Sequence, residues 1–161
     1  MPPPLLLFGI SIGLSFLAWG TLCVGYFWPR LRSLALHDAA RPILMLHTFR
    51  FVGLAFLIPG VVGPALPLAF AAPAAYGDLT AAGLAWLALV LRKRPGSVVA
   101  LWVFNLWGTI DLLLAFYRGL FGTSLDPRML GAAYFIPTVL VPLLLCTHTM
   151  LFLLLLRKRP Q

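Results

Sequence analysis

Long uninterrupted apolar runs alternate with short basic or proline-rich segments along the chain. A membrane-spanning helix needs roughly 20 consecutive apolar residues, and this pattern divides into five such runs. They lie at about residues 5–28, 42–62, 78–92, 97–118 and 131–156. The sequence therefore predicts an all-α fold, a polytopic transmembrane helical bundle of five spans, with residues 1–161 forming a single transmembrane domain.

Residues 60–77 interrupt the pattern. Pro64, Pro67 and Pro73 argue against a regular long helix, because proline lacks a backbone N–H and crowds the preceding turn. The residues between them are nevertheless too apolar for a free loop. We expect this segment to lie in the outer interface or to re-enter the bundle, so that four spans plus this segment are the alternative to five. Asp78 is then expected to cap the N-terminus of the third span. Because a helix from Asp78 to Arg92 is short, the alternative places Asp78 below the outer surface.

Other breaks in the pattern predict where the remaining helices end. The first span is expected to stop at Trp28, before Pro29, and residues 29–41 to form a polar loop that carries His37 and Asp38. Pro42 suits the first turn of the second span, and Pro59 is expected to bend or end it. The Pro95-Gly96 dipeptide is typical of a tight turn between two spans.

Charge and composition fix the class of protein more firmly than its activity. Hydrophobic residues make up 61% of the 161 residues and charged residues 10%, whereas about a quarter of the residues of an ordinary soluble domain are charged. The net charge of +8 does not indicate a nucleic-acid partner, because nine of the twelve basic residues lie in three groups at the ends of apolar runs: Arg30, Arg32 and Arg41; Arg92, Lys93 and Arg94; Arg157, Lys158 and Arg159.

Basic groups in these positions also predict orientation. Cytoplasmic ends of spans are enriched in lysine and arginine, so five spans place the N-terminus outside and the C-terminus inside. We expect a multi-pass protein of a bacterial-type inner membrane, with anionic lipid at its basic inner ends.

Polar side chains inside the apolar runs are the candidates for function. An ionisable group within a span is costly, so it usually faces a partner, a cavity or a ligand. At about 1.5 Å per residue, His47 and His148 lie roughly 9 and 14 Å above the basic ends of their spans. Arg50 and Asn105 fall in the same range of depth. His47 and Arg50 share one helical face because they are three residues apart.

These residues predict a polar pocket between the second, fourth and fifth spans that opens toward the cytoplasmic half of the membrane. Asp111 lies one or two turns further out than Asn105, and either Arg50 or Arg118 is expected to neutralise it, because an unpaired buried charge is costly. The predicted ligand-binding residues are His47, Arg50, Asn105, Thr109, Asp111 and His148.

Three functions are compatible with such a pocket. The first is binding of a small ligand or ion, by a small transporter or channel or by an accessory subunit, as a homo-oligomer or within a larger membrane complex. The second is electron transfer through a b-type haem held by His47 and His148, which lie at similar depths. The third is an enzyme for a quinone-, sterol- or lipid-like substrate. The sequence contains no HExxH, GxSxG or P-loop motif and no metal-ligand cluster, which argues against the third.

Overall fold

The computed structural model describes residues 2–92, 94–122 and 125–157; Lys93, Lys158 and Arg159 of the basic groups lie outside these ranges. Within them the chain is helical and contains no named strand. Five long helices form the fold: α1 (Pro4–Leu31), α2 (Leu36–Leu57), α3 (Leu68–Val90), α4 (Ser97–Gly122) and α5 (Ile136–Leu156). The predicted all-α fold is confirmed.

Four of these helices, α1, α2, α4 and α5, are long and apolar enough to cross a membrane, as a membrane protein requires. The 23-residue α3 is long enough as well, but it is built from alanine and glycine more than from leucine, and it carries Asp78. Whether α3 also spans, and which end of the bundle faces the cytoplasm, therefore stay predictions.

The core lies between α2, α3, α4 and α5, which contact one another in a ring, while α1 packs outside this ring against α5. Burial reflects this difference: 44% of the most apolar stretch of α5 is buried, but only 6% of that of α1. Alanines on α3 such as Ala75, Ala81 and Ala85 are fully buried. Small side chains of this kind let neighbouring helices approach closely.

The predicted start of the third helix at Asp78 is wrong. Helix α3 begins at Leu68, ten residues earlier, and Pro67 directly precedes it. Pro73 lies inside the helix near its start, where it removes one backbone hydrogen bond that the favourable alanines around it offset. Asp78 is therefore not a helix cap but a buried residue in the middle of α3.

The predicted polar loop at residues 29–41 is also shorter than expected. Helix α2 begins at Leu36, so that His37 and Asp38 lie in its first turn and Pro42 lies inside it. An acidic side chain in a first turn is favourable because it faces the positive end of the helix dipole.

The second half of α2, Thr48–Leu57, is a 3₁₀ helix. Because a 3₁₀ helix has three residues per turn, side chains three positions apart lie directly above one another. His47, Arg50, Gly53 and Phe56 follow this spacing and are all buried. The tighter winding thus aligns a histidine and an arginine along one line that faces the core.

Proline inside α1 and α5 is accommodated by a widened turn. In α1, the π-helical turn Cys23–Phe27 precedes Pro29, so the helix continues to Leu31 instead of ending at Trp28. In α5, the π-helical turn Ile136–Leu140 precedes Pro142 in the same way. A π turn shifts the hydrogen-bond register, which suits a following residue that has no N–H to donate.

The two ends of the bundle are built differently. At one end the basic residues converge: the Arg157 side chain donates to the Arg32 carbonyl oxygen, and Gly96 (φ 85°) forms the predicted turn between α3 and α4. At the other end, the α2–α3 connection meets a 3₁₀ segment, Pro127–Tyr134, through the Ala132 N–H, which donates to the Val61 carbonyl at 2.8 Å. Gly131 has φ 53°, and a side chain there would strike that carbonyl.

Candidate functional site

Arg50 is the centre of a buried polar cluster that joins four helices. Its Nε donates to Oδ1 of Asp78 on α3, and its Nη2 donates to Oδ2 of Asp111 on α4, each at 2.7 Å. Its Nη1 donates to the Gly108 carbonyl oxygen at 3.2 Å and contacts Nε2 of His148 at 3.4 Å. The Arg50 side chain is 0% exposed. One guanidinium therefore ties α2 to α3, α4 and α5.

The tautomer of His148 follows from its partners. Asn105 fixes its own orientation, because its side-chain Nδ2 donates to the His148 carbonyl oxygen at 3.3 Å. Its Oδ1 then faces His148 Nδ1 at 2.7 Å. Since an amide oxygen only accepts, Nδ1 carries the proton, and Nε2 is left to accept from Arg50. His148 is thus a neutral ring held between an amide and a guanidinium.

His47 lies behind this ring, further from the carboxylates. The Thr147 hydroxyl donates to the Leu144 carbonyl oxygen at 2.9 Å, so its oxygen accepts from His47 Nε2, also at 2.9 Å. His47 Nδ1 has no hydrogen-bond partner among the described residues, although the residue is 0% exposed. The His47 and His148 rings are 4.2 Å apart between centroids.

Three glycines provide the space in which the cluster fits. A Cβ at Gly53 would strike Asp78, and one at Gly77 would strike Asp111. A Cβ at Gly108 would lie 2.5 Å from the His148 ring and 2.8 Å from Arg50 Nη1. Each glycine lies on one helix and leaves room for a polar side chain of a neighbouring helix. The polar contacts therefore depend on close approach of the helices.

A cleft with apolar walls ends at the two carboxylates. Asp78 and Asp111 line it, together with aromatic and aliphatic side chains of all helices except the first half of α2. Its empty volume is about 610 Å³ with the mouth included. Among its described lining residues, Leu5 and Leu120 are exposed, and they lie at the ends of α1 and α4 that are far from the basic residues. The cleft thus opens away from the basic end of the bundle, not toward it as the sequence predicted.

Most of the predicted site residues come together. Arg50, Asp111, His148 and Asn105 form one hydrogen-bonded chain, and His47 packs against it. Of the two candidate partners of Asp111, Arg50 makes the direct salt bridge. Thr109 takes no part in the chain, because its hydroxyl donates to the Asn105 carbonyl oxygen of its own helix.

Asp78 is the site residue that sequence reasoning missed. The prolines before it suggested a helix start, and that interpretation placed the side chain at the membrane surface. One signal pointed the other way: alanines and glycines surround Asp78 on both sides, and helices of that composition pack closely inside membranes.

The two histidines do not fit a bis-histidine haem. A haem iron takes one imidazole nitrogen from each face of the porphyrin, whereas these rings contact each other directly at 4.2 Å between centroids. Both nitrogens of His148 and Nε2 of His47 are also engaged in hydrogen bonds with side chains. The haem interpretation is therefore wrong for this arrangement.

Comparison with known proteins identifies a family, but the description of that family names no activity. The chain belongs to the family described as Domain of unknown function (DUF8737), which it matches over residues 7–156. No curated protein and no solved structure matches it. The matched residues include the whole Arg50 cluster and the carboxylates of the cleft, so function has to be argued from that site.

Proposed function

We propose that this protein binds a small, lipid-soluble ligand inside the membrane, in the cleft that ends at Asp78 and Asp111. The observation that carries the proposal is the combination of an apolar slot with two carboxylates held at its closed end by one buried arginine. Ligand sites are typically apolar clefts with a few fixed polar groups, which give the ligand its orientation.

Packing between the Arg50 cluster and the basic end of the bundle favours ligand binding over transport of an ion or solute. Leu101, Phe104 and Leu151, all at most 1% exposed, fill the space between the cluster and the basic end of the bundle. A channel needs a continuous polar path, whereas this region is close-packed and apolar. These contacts support ligand binding, and action as an accessory subunit of a larger membrane complex or as a homo-oligomer belongs to the same proposal.

The location belongs to the same proposal. The described basic residues near Arg32, Arg94 and Arg157 lie at one end of the bundle, and the positive-inside tendency assigns that end to the cytoplasm. We place the protein in a bacterial inner membrane, with anionic lipid at this end and the mouth of the cleft in the outer half. The N-terminus then lies outside and α3 spans the membrane as the fifth helix.

Photolabelling of the purified protein in lipid nanodiscs tests the proposal. The probe is hexadecanol that carries a diazirine near its hydroxyl group. We expect saturable labelling of α3 and α4 peptides that contain Phe70, Ala74 and Phe116, which line the cleft, with competition by unmodified hexadecanol.

Two substitutions on α3 provide the matched comparison. Ala74→Phe fills the cleft and is expected to abolish saturable labelling, whereas Ala69→Phe adds the same ring at an exposed position and leaves labelling unchanged. Equal labelling of both variants, or labelling that excess hexadecanol does not reduce, would contradict ligand binding in the cleft.

A further inference from the structure

We infer that the ligand is an amphiphilic monocation, a protonated amine attached to a hydrocarbon body. This inference rests on the proposed function and specifies its ligand class. It follows from three features of the closed end of the cleft: the charges in direct contact, the side of the cluster that faces the cleft, and the composition of the walls.

The groups in direct contact carry one more negative than positive charge when both carboxylates are ionised. Arg50 supplies one positive charge, and Asp78 and Asp111 supply two negative charges. The hydrogen bonds of His148 define a neutral ring, and His47 Nδ1 has no acceptor for a second proton within the described part of the chain. Because one guanidinium serves two carboxylates in a low-dielectric site, these contacts favour one additional monovalent cation.

The negative charge is the part of the cluster that faces the cleft. The Arg50 side chain is 0% exposed, whereas the Asp78 and Asp111 side chains are 9% and 14% exposed and line the cleft. Arg118, seven residues further along α4, also acts electrostatically on Asp111. It is not among the described residues that line the cleft, whereas both carboxylates are.

The walls select an organic cation over a metal ion. Among the described lining residues, Asp78 and Asp111 are the only side chains with oxygen atoms, whereas hard metal ions take about six oxygen ligands or more. Four phenylalanines line the same cleft: Phe8, Phe56, Phe70 and Phe116. Aromatic faces attract ammonium groups and pack against hydrocarbon. A protonated amine on an apolar chain satisfies both parts of this lining.

The experiment compares two photoprobes that differ only in the head group: diazirine-bearing hexadecylamine and the corresponding hexadecanol. Nanodiscs of purely zwitterionic lipid prevent the amine from concentrating at an anionic surface. At equal mole fraction in the membrane, we expect the amine to label the cleft peptides about tenfold more strongly, which corresponds to roughly 1.4 kcal/mol.

Asp111→Asn tests the charge directly. This variant keeps the Arg50–Asp78 salt bridge and removes the excess negative charge among the groups in contact, so the ratio of amine to alcohol labelling is expected to fall from about ten to about one. Asp126→Asn removes an exposed carboxylate outside the cleft and is the control. Thermal unfolding of each variant establishes that the bundle is folded.

The other outcomes contradict either the cationic ligand or the proposed function. Equal labelling by both probes in the wild type leaves the proposed function standing and overturns the cationic ligand. A preference for the amine that survives in both Asp78→Asn and Asp111→Asn also overturns it. A preference that appears only in Arg118→Gln overturns it too, because Arg118 is then the counter-charge already in place. Absence of saturable labelling by either probe overturns the proposed function itself.

Discussion

Arg50 and Arg128 make nearly the same contact in two very different surroundings. Arg50 reaches Asp78 at 2.7 Å, and Arg128 reaches Asp126 at 2.6 Å. The Arg50 side chain is 0% exposed, however, whereas that of Arg128 is 76% exposed. The Arg128 pair joins residues two apart in one turn, while Arg50 bonds residues 28 and 61 positions away.

This difference shows that the bond length alone does not determine how much an ion pair stabilises the fold. The exposed pair competes with water at every moment, so its formation changes the free energy of the fold very little. The buried arginine has no such alternative, because removing it leaves two carboxylates without a counter-charge in an apolar interior. Arg50 is therefore a structural link between helices as well as the support of the candidate site.

The largest effect is expected from Arg50→Leu. Because loss of one partner leaves buried charge unpaired, the free energy of unfolding should fall by about 3–5 kcal/mol. Arg128→Leu is the control and should leave the unfolding transition unchanged. Denaturation of both variants in the same detergent measures the two effects, and similar shifts would show that burial does not distinguish the pairs.

A smaller effect is expected from Gly77→Ala, which adds a methyl group against Asp111. The resulting overpacking should cost about 2–3 kcal/mol, since the side chain in the way is held by a salt bridge. Gly83→Ala on the same helix meets nothing within 4 Å and should be neutral or stabilising. Thermal unfolding of the two variants measures the difference. Equal unfolding midpoints would contradict the close approach of α3 and α4.

Thr147→Val should have the next largest effect. It removes the acceptor of His47 Nε2 and leaves a buried donor unpaired, at a cost of about 1–2 kcal/mol. Thr149→Val, two residues further along α5, removes a hydroxyl that bonds only to its own helix at an exposed position, and it should be tolerated. Unfolding midpoints for the two variants decide whether His47 depends on Thr147.

The smallest effect is a local response to acid at the exposed pair. Hydrogen bonds from the Arg128 side chain and backbone N–H hold the pKa of Asp126 below its usual range. The Asp126–Arg128 pair therefore stabilises the turn at neutral pH, and this stabilisation is lost as the pH falls through the lowered pKa. The Arg128 amide resonance should report a midpoint below that of an ordinary aspartate, without unfolding of the bundle. A midpoint in the ordinary range would be evidence against the contact.

Sequence reasoning succeeded where the determinants are local or depend on depth. Apolar runs predicted the helical bundle, and the three-residue spacing of His47 and Arg50 predicted a shared face, which the 3₁₀ winding of α2 provides. Asn105 and His148 were placed at similar depths and do meet.

It failed where tertiary contacts outweighed local signals. Pro73 was read as a helix break and Pro42 as a first-turn residue. Each nevertheless lies inside a helix, because packing against neighbouring helices compensates for one lost hydrogen bond. Asp78 was interpreted as a helix cap. Its actual partner, Arg50, lies on another helix 28 residues away, and no local pattern reveals that contact. The space beside Gly53, Gly77 and Gly108 depends on the distance between neighbouring helices. That distance cannot be predicted from the sequence of one helix.

Helix α1 forms one wall of the cleft through Leu5 and Phe8, and it is also the least buried helix of the fold. Helix α1 lies outside the ring of α2 to α5 and is held mainly by its packing against α5. Under the proposed function, a ligand dissolved among the acyl chains would reach the cleft beside this outer helix, and its occupancy would follow its abundance in the bilayer. Lipid composition would then control what this protein encounters.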